Sequence, residues 1–211
     1  MMDYRQQFKS CGSNVVVEHN VYIEHPEALE VGDNVRFMSG FYMLGAPGVC
    51  QFGNNVCFMP NIFIEGSPAR FLVGNDVTFF PGAYIASGLG DSAFTEIGHS
   101  SHFAPHCVLY GQGGLSIGNH NNVAAQTVFA TVQHDDNVLD RPMSQTAISG
   151  PITLEDDVWI AANVTITMNT RIATGCVIGA NSVVTRDTQP MGVYVGAPAR
   201  RLRDRGQRAP R

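Results

Sequence analysis

The sequence predicts an all-β chain wound as a single-stranded parallel β-helix of hexapeptide repeats. Three observations predict it. From Leu154 onward every sixth residue is a branched aliphatic: Leu154, Ile160, Ile166, Ile172, Ile178 and Val184. Four places after each of the first five sits a residue slim enough for a turn: Val158, Val164, Thr170, Cys176 and Ser182. The same spacing then returns in blocks over the rest of the chain. An α-helix repeats about every 3.6 residues and a plain strand every two, so this period fits a short strand plus a tight corner. Three such strands close one coil.

Taken in order, the spacing starts near Val17, Val21 and Ile23. Val31, Phe37 and Met43 make one coil, followed by Phe52, Phe58 and Ile64, then Val73, Phe79 and Ile85. Ile97, Phe103 and Leu109 follow, then Ile117, Val123 and Phe129. These blocks start 21, 21, 24 and 20 residues apart, against 18 for a bare coil of three hexapeptides. The excess is turn-forming Gly and Pro at one corner, as in GAPG at 45–48 and GQGG at 111–114. Glycine also follows each first strand, at Gly32, Gly53, Gly74, Gly98 and Gly118. A corner with positive φ is the expected reason.

The repeat breaks at 131–151, a polar stretch holding His134, Asp135, Asp136, Asp140 and Arg141. A long loop on a rigid solenoid is often functional. Past Val184 the repeat ends, and TRDTQPMGVYVGAPARRLRDR reads as a short tail or helix. The expected organisation is one domain over 1–211. Its coils lie at about 15–130 and 152–188, its protruding loop at 131–151 and its carboxy-terminal tail at 189–211.

The net charge of −5 gives no reason to expect nucleic acid as a partner. Six of the thirteen basic residues nevertheless fall between Arg200 and Arg211, as a solvated end or as a phosphate-binding patch. The start, MMDYRQQFKSCG, has no apolar core of signal-peptide length, and no run approaches the ~18 apolar residues of a membrane span. A soluble, cytoplasmic protein is expected. The five cysteines form no CxxC pair, and Cys107 and Cys176 fall at inward positions.

Side chains alternate along a strand, so Trp159, between Val158 and Ile160, points outward. The same rule lines up Tyr42, Phe63, Tyr84, Val108, Val128, Thr165 and Val183 on the outer surface, one per coil. At about 4.8 Å per coil this is a mostly apolar stripe about 30 Å long. Such a stripe marks an interface and suits a closed ring of identical subunits.

The run from His134 through PITLEDDVWIAANVTI and VIGANSVVTRD to VGAPARRLR resembles the hexapeptide-repeat acyltransferases. Within that family it is similar to the carboxy-terminal half of sugar and polysaccharide O-acetyltransferases of the galactoside and maltose type. The resemblance implies a left-handed coil, a homotrimer, acetyl-CoA as co-substrate and no required metal. It makes His134 the catalytic base. It places Ala162, Ala180, Thr185, Arg186 and Arg203 along acetyl-CoA, with Arg200 nearby. Trp159 is then placed to cover the pantetheine arm or to pack on the neighbouring subunit, and backbone N–H groups near Ala161 and Ala162 are candidates to hold an oxyanion.

The chemistry agrees with this reading. Acyl transfer needs a base, an oxyanion donor and a clamp on the thioester. Of seven histidines only His134 lies in the long loop, and histidine titrates near neutrality. Asp135, Asp136 and Asp140 are candidates to orient the imidazole. His106, Asp135 and Arg141 are candidates to hold the acceptor. Galactoside-type enzymes carry an asparagine where FAPHC here places Pro105 with His106 beside it, so the acceptor stays open. N-acetylation of an amino sugar is one alternative, and a non-catalytic trimeric scaffold is another. Zinc carbonic anhydrases of the same coil are a third, but His102, His106 and His120 fall in different columns.

Overall fold

A computed structural model describes residues 4–207. The chain is a left-handed parallel β-solenoid of about eight turns. Each turn contributes one short strand to each of three faces. On the second face the strands run from Val16–Val17 through Arg36–Phe37, Cys57–Phe58, Thr78–Phe79, His102–Phe103, Asn122–Val123 and Trp159–Ile160 to Val177–Ile178. Strands stack in register, so Phe37 lies over Phe58, Phe58 over Phe79 and Phe79 over Phe103. The rings of these pairs are 5.4, 5.2 and 5.0 Å apart. Toward the carboxy terminus the inward column turns aliphatic, with Val123, Ile160 and Ile178 fully buried. Every residue of the sixfold series from Leu154 to Val184 is buried.

The corners explain the polar residues between strands. The tight turns of the first and second corners place a residue in the left-handed region, among them Asn34, Asn55, Asp76, Ser100 and His120 at the first corner and Asn61, His106, Gln126, Asn163 and Asn181 at the second. Asparagine and aspartate tolerate that conformation best after glycine. None of Gly32, Gly53, Gly74, Gly98 and Gly118 has a positive φ, which corrects the expectation above. They are glycine because successive coils approach closely there. A Cβ on Gly32 would lie 2.6 Å from Asn54 Oδ1 and 2.8 Å from the Gly53 carbonyl carbon.

Insertions gather at the third corner, between the third face and the first face of the next coil. Two coils are drawn out there into long parallel strands, Phe63–Val73 and Tyr84–Ile97, whose pairing shifts register between Ala86 and Leu89 and again between Gly90 and Phe94. The loop at 131–151 leaves the same corner. It opens as an antiparallel pair, Val132–His134 with Ala147–Ser149, in which His134 faces Ala147. The segment read as a tail or helix is instead a β-hairpin. Gly192–Val195 adds to the second face beside Val177–Ile178, and Arg200–Asp204 folds back against it. Long-range pairing decides this, because the β-branched and aromatic run Val193, Tyr194 and Val195 takes up a strand once a sheet edge is available. Among the described residues no helix is long and apolar enough to cross a membrane.

Candidate active site

The predicted site residues fall on two corners and along one column of the second face. His134, Asp135, Arg141, Thr185 and Arg186 belong to the third corner. Ala161, Ala162 and Ala180 line the second corner at the carboxy-terminal end of the coil, and Arg200 stands beside them. Its neighbour Ala199 donates its N–H to the Val183 carbonyl at 2.8 Å, which seats the hairpin turn on that corner. Trp159 and Arg203 share one column of the second face, Trp159 to Val177 to Val193 to Arg203. Three strand spacings, about 14 Å, separate them. One third-face strand lies between the two groups, so a single chain does not bring His134 and Ala162 together. His106 is on the second corner, held at φ 61°, on the coil that precedes the one bearing the loop.

His134 ends the outgoing strand of the loop pair and is exposed. Its imidazole makes no hydrogen bond or ion pair among the described residues. Asp135 Oδ1 accepts from the Asn137 backbone N–H at 3.0 Å and from Asn137 Nδ2 at 2.9 Å, and among the described residues no hydrogen bond joins Asp135 to His134. The loop tip carries Val138, Leu139 and Met143 in solvent, with Leu139 fully exposed. The Ala161 N–H is engaged, donating to the Ile178 carbonyl at 2.9 Å. It is therefore not an oxyanion donor. The Ala162 N–H has no such partner among the described backbone pairs.

The structure also separates the arginines. Arg201 is paired with Asp204 at 2.5 Å and lies over the Tyr194 ring. Arg205 is paired with Asp157 at 2.9 Å. Among the described residues Arg200 and Arg203 form no ion pair. Arg200 donates to the Ala199 carbonyl at 2.9 Å and Arg203 to the Asp204 carbonyl at 3.0 Å. The buried Nε–H of Arg203 has no acceptor among the described residues. A phosphate oxygen is the kind of group that such an orphaned donor fits. Arg208 and Arg211 lie outside the described residues.

Sequence reasoning missed a pocket on the third corner, lined by Glu65, Gly66, Ala86, Gly88, Leu89 and Gln112, with a volume of about 490 Å³. The Tyr84 hydroxyl donates to Glu65 there. That hydrogen bond, with desolvation, pushes the phenol up to about 12. The signal was available in the block spacings of 21 and 24, which exceed a bare coil where these walls are inserted. His102, His106 and His120 sit on a strand face and on two different corners. Three of the five cysteines are core residues: Cys50, Cys107 and Cys176 are buried, whereas Cys57 is half-buried and Cys11 exposed. Burial raises the Cys50 thiol and lifts Cys107 to about 11.

Comparison with known proteins agrees with this architecture. Residues 151–186 match the bacterial transferase hexapeptide model of six repeats. A Schizosaccharomyces pombe protein named as an acetyltransferase is 32% identical over 100 residues, 46% of this chain and 47% of the relative. Galactoside O-acetyltransferase of Escherichia coli is 34% identical over 90 residues, 35% of this chain and 44% of the relative. The chain thus spans less than half the length of these curated relatives. Among solved structures, an N-acyltransferase from Bacillus cereus, in complex with dTDP-4-amino-4,6-dideoxyglucose and coenzyme A, superposes with a TM-score of 0.58 at 22% identity. It covers 96% of this chain and 87% of its own, and it speaks for the fold alone. The chain is a parallel β-solenoid that carries the bacterial transferase hexapeptide repeats over residues 151–186 and is similar, over 100 residues or fewer, to acetyltransferases.

Proposed function

We propose that the protein is an acetyl-CoA-dependent O-acetyltransferase that acts on a sugar or polysaccharide hydroxyl and works as a homotrimer. The observation that carries this reading is the division of the site between two corners. An unpartnered histidine stands at one, and a phosphate-ready pair of arginines stands by the other. Association supplies what one chain lacks, since the loop at 131–151 of one subunit can meet the second corner of the next. The third face between the corners carries the apolar stripe, now extended to Tyr22, which pairs in register with Tyr42. Tyr22 and Tyr42 are 44% and 42% exposed, and the stripe continues through Phe63 and Tyr84 with ring spacings of 6.0, 6.5 and 5.9 Å. Burying it on a partner contributes ~25 cal/mol per Å² of apolar surface. The uncovered Leu139 and Met143 at the loop tip fit the same assembly.

In this reading Arg200 and Arg203 hold the phosphates of CoA by charge-assisted hydrogen bonds. Trp159 lies along the same column and shields the pantetheine arm. Acetyl-CoA supplies the acetyl thioester. His134 takes the proton of the acceptor hydroxyl as its oxygen attacks the thioester carbonyl. The open Ala162 N–H stabilises the oxyanion. The C–S bond then breaks, the acetyl ester forms, and the imidazolium returns its proton to the CoA thiolate. No acyl-enzyme is needed, because no cysteine lies in the loop at 131–151 and three of the five thiols are buried. Thiol release from acetyl-CoA, measured against a panel of sugars and amino sugars, tests the reading. Release with a hydroxyl acceptor and an ester product supports it. Release only with amines moves the reaction to N-acetylation, and release with none leaves a scaffold.

A further inference from the structure

We infer that the acceptor docks in the third-corner pocket between Glu65 and Gln112, and that it is a phosphate-free sugar unit rather than a nucleotide-linked one. This rests on the transferase reading above. The pocket's volume of about 490 Å³ lies in the range of small-molecule sites. Its walls are the two drawn-out strands and the insert at 111–114. That insert is tied to the root of the catalytic loop. The Gly113 N–H donates to Thr131 Oγ1 at 3.2 Å, and Thr131 Oγ1 in turn donates to the Tyr110 carbonyl at 2.9 Å. His134 follows Thr131 by three residues, roughly 10 Å of extended strand. Pocket and base therefore share one corner and one hydrogen-bonded support.

Apart from the Gln112 Nε2 amide hydrogens, the polar side-chain groups that line the pocket are acceptors. One Glu65 oxygen takes the Tyr84 hydroxyl, and the other has no hydrogen bond among the described residues. Gln112 Oε1 is buried without a donor. A buried acceptor left unpaired is costly, so a ligand that fits brings donors, as a sugar ring brings hydroxyls. Ala86, Leu89 and the two glycines give the apolar wall that the C–H face of such a ring needs. Gly66 at φ 119° and Gly88 at φ 87° are required for this shape, since a Cβ on Gly66 would lie 2.4 Å from the Gly88 carbonyl oxygen. A diphosphate has only acceptors to offer at neutral pH and would face a carboxylate. No lysine or arginine lines the pocket. The nearby Arg70 is engaged with Glu96 at 2.5 Å and lies over Phe94 at 5.1 Å.

The test uses the full chain with CoA present. Binding of methyl glycosides, short oligosaccharides, dTDP and UDP is followed by saturation-transfer NMR, and steady-state kinetics are measured on the best acceptor. Leu89 is 76% exposed, so Leu89→Trp narrows the pocket without touching the core, and Gln112→Leu removes the buried acceptor. Both variants should raise the acceptor KM by about tenfold or more while the acetyl-CoA KM stays within about twofold. Neither nucleotide should compete. An unchanged acceptor KM in both variants, or displacement of the acceptor by a nucleoside diphosphate, overturns the inference. If the wild type acetylates nothing, the transferase reading falls by itself. The pocket is then judged by binding alone: a sugar signal lost in Leu89→Trp upholds it, and a signal retained or never seen overturns it.

Discussion

Arg205 is clamped to Asp157: Nη1 of its guanidinium donates to Asp157 Oδ2 at 2.9 Å and to the Asp157 carbonyl at 2.8 Å. The pair ties the carboxy-terminal hairpin to the first corner of a coil 48 residues earlier. The same hairpin presents Arg200 and Arg203 toward the proposed CoA site. Arg205→Ala should therefore loosen the presentation of two residues it does not touch. The expected result is a rise of a few-fold in the acetyl-CoA KM with little change in stability, since a partly exposed ion pair contributes ~0.2–1 kcal/mol. Arg200→Ala and Arg203→Ala should each cost about 1–3 kcal/mol of CoA binding, as for a hydrogen bond to a charged group. Titration calorimetry with acetyl-CoA and with the dephospho thioester separates these cases. Unchanged binding in both single variants would make the hairpin a structural cap and nothing more.

Assembly is tested at the stripe. Tyr42→Glu and Phe63→Glu place a carboxylate among stacked rings on the third face, so both should dissociate the trimer. The coil itself should survive, because Tyr42 is exposed and Phe63 only half-buried. Light scattering on the wild type should give three times the chain mass. A wild-type monomer at micromolar concentration would remove the shared site from the account.

The coil was legible because its core is written locally. Leu154, Ile160, Ile166, Ile172, Ile178 and Val184 are a one-dimensional pattern, and each turn repeats it. What depended on distant pairing was not legible. The strands Phe63–Val73 and Tyr84–Ile97 hold Gly, Pro and Ser in mid-run, where turn chemistry and strand edges look alike until the two segments lie side by side. The hairpin at Gly192–Val195 was hidden for the same reason. The five glycines after each first strand were found by spacing, but their cause, the approach of the next coil, appears only when coils are stacked. His134 could be read from its place in the loop. For the pocket at Glu65 and Gln112 only the inserted walls could be read, from the long block spacings; its lining could not, since two ordinary polar residues 47 positions apart carry no motif.

Stability should depend on one carboxylate in a defined direction. Glu155 accepts the Thr174 N–H at 2.8 Å and its hydroxyl at 2.9 Å, and it also pairs with Arg171. The Thr174 backbone hydrogen bond leads the causes that hold its carboxyl below the usual range. A folded pKa below the unfolded one gives stability that is fully present above the unfolded value of 4.5 and is lost as pH falls through the folded value. Glu155→Gln should therefore lower Tm near neutrality and close the gap to wild type as the medium turns acidic. Thermal melts of both proteins from about pH 7 to about pH 3 check this. A gap that stays constant or widens in acid would contradict the assignment.

The central claim is that His134 is the general base of a direct transfer. The decisive measurement is kcat for His134→Ala on the acceptor that the sugar panel identifies, taken together with the acetyl-CoA Kd by calorimetry. Loss of a general base lowers a rate by about 10²–10⁴. A fall of that size is expected with the acetyl-CoA Kd nearly unchanged, because the phosphate contacts proposed for CoA are made by Arg200 and Arg203 and not by His134. A His134→Ala variant that keeps full kcat would contradict it.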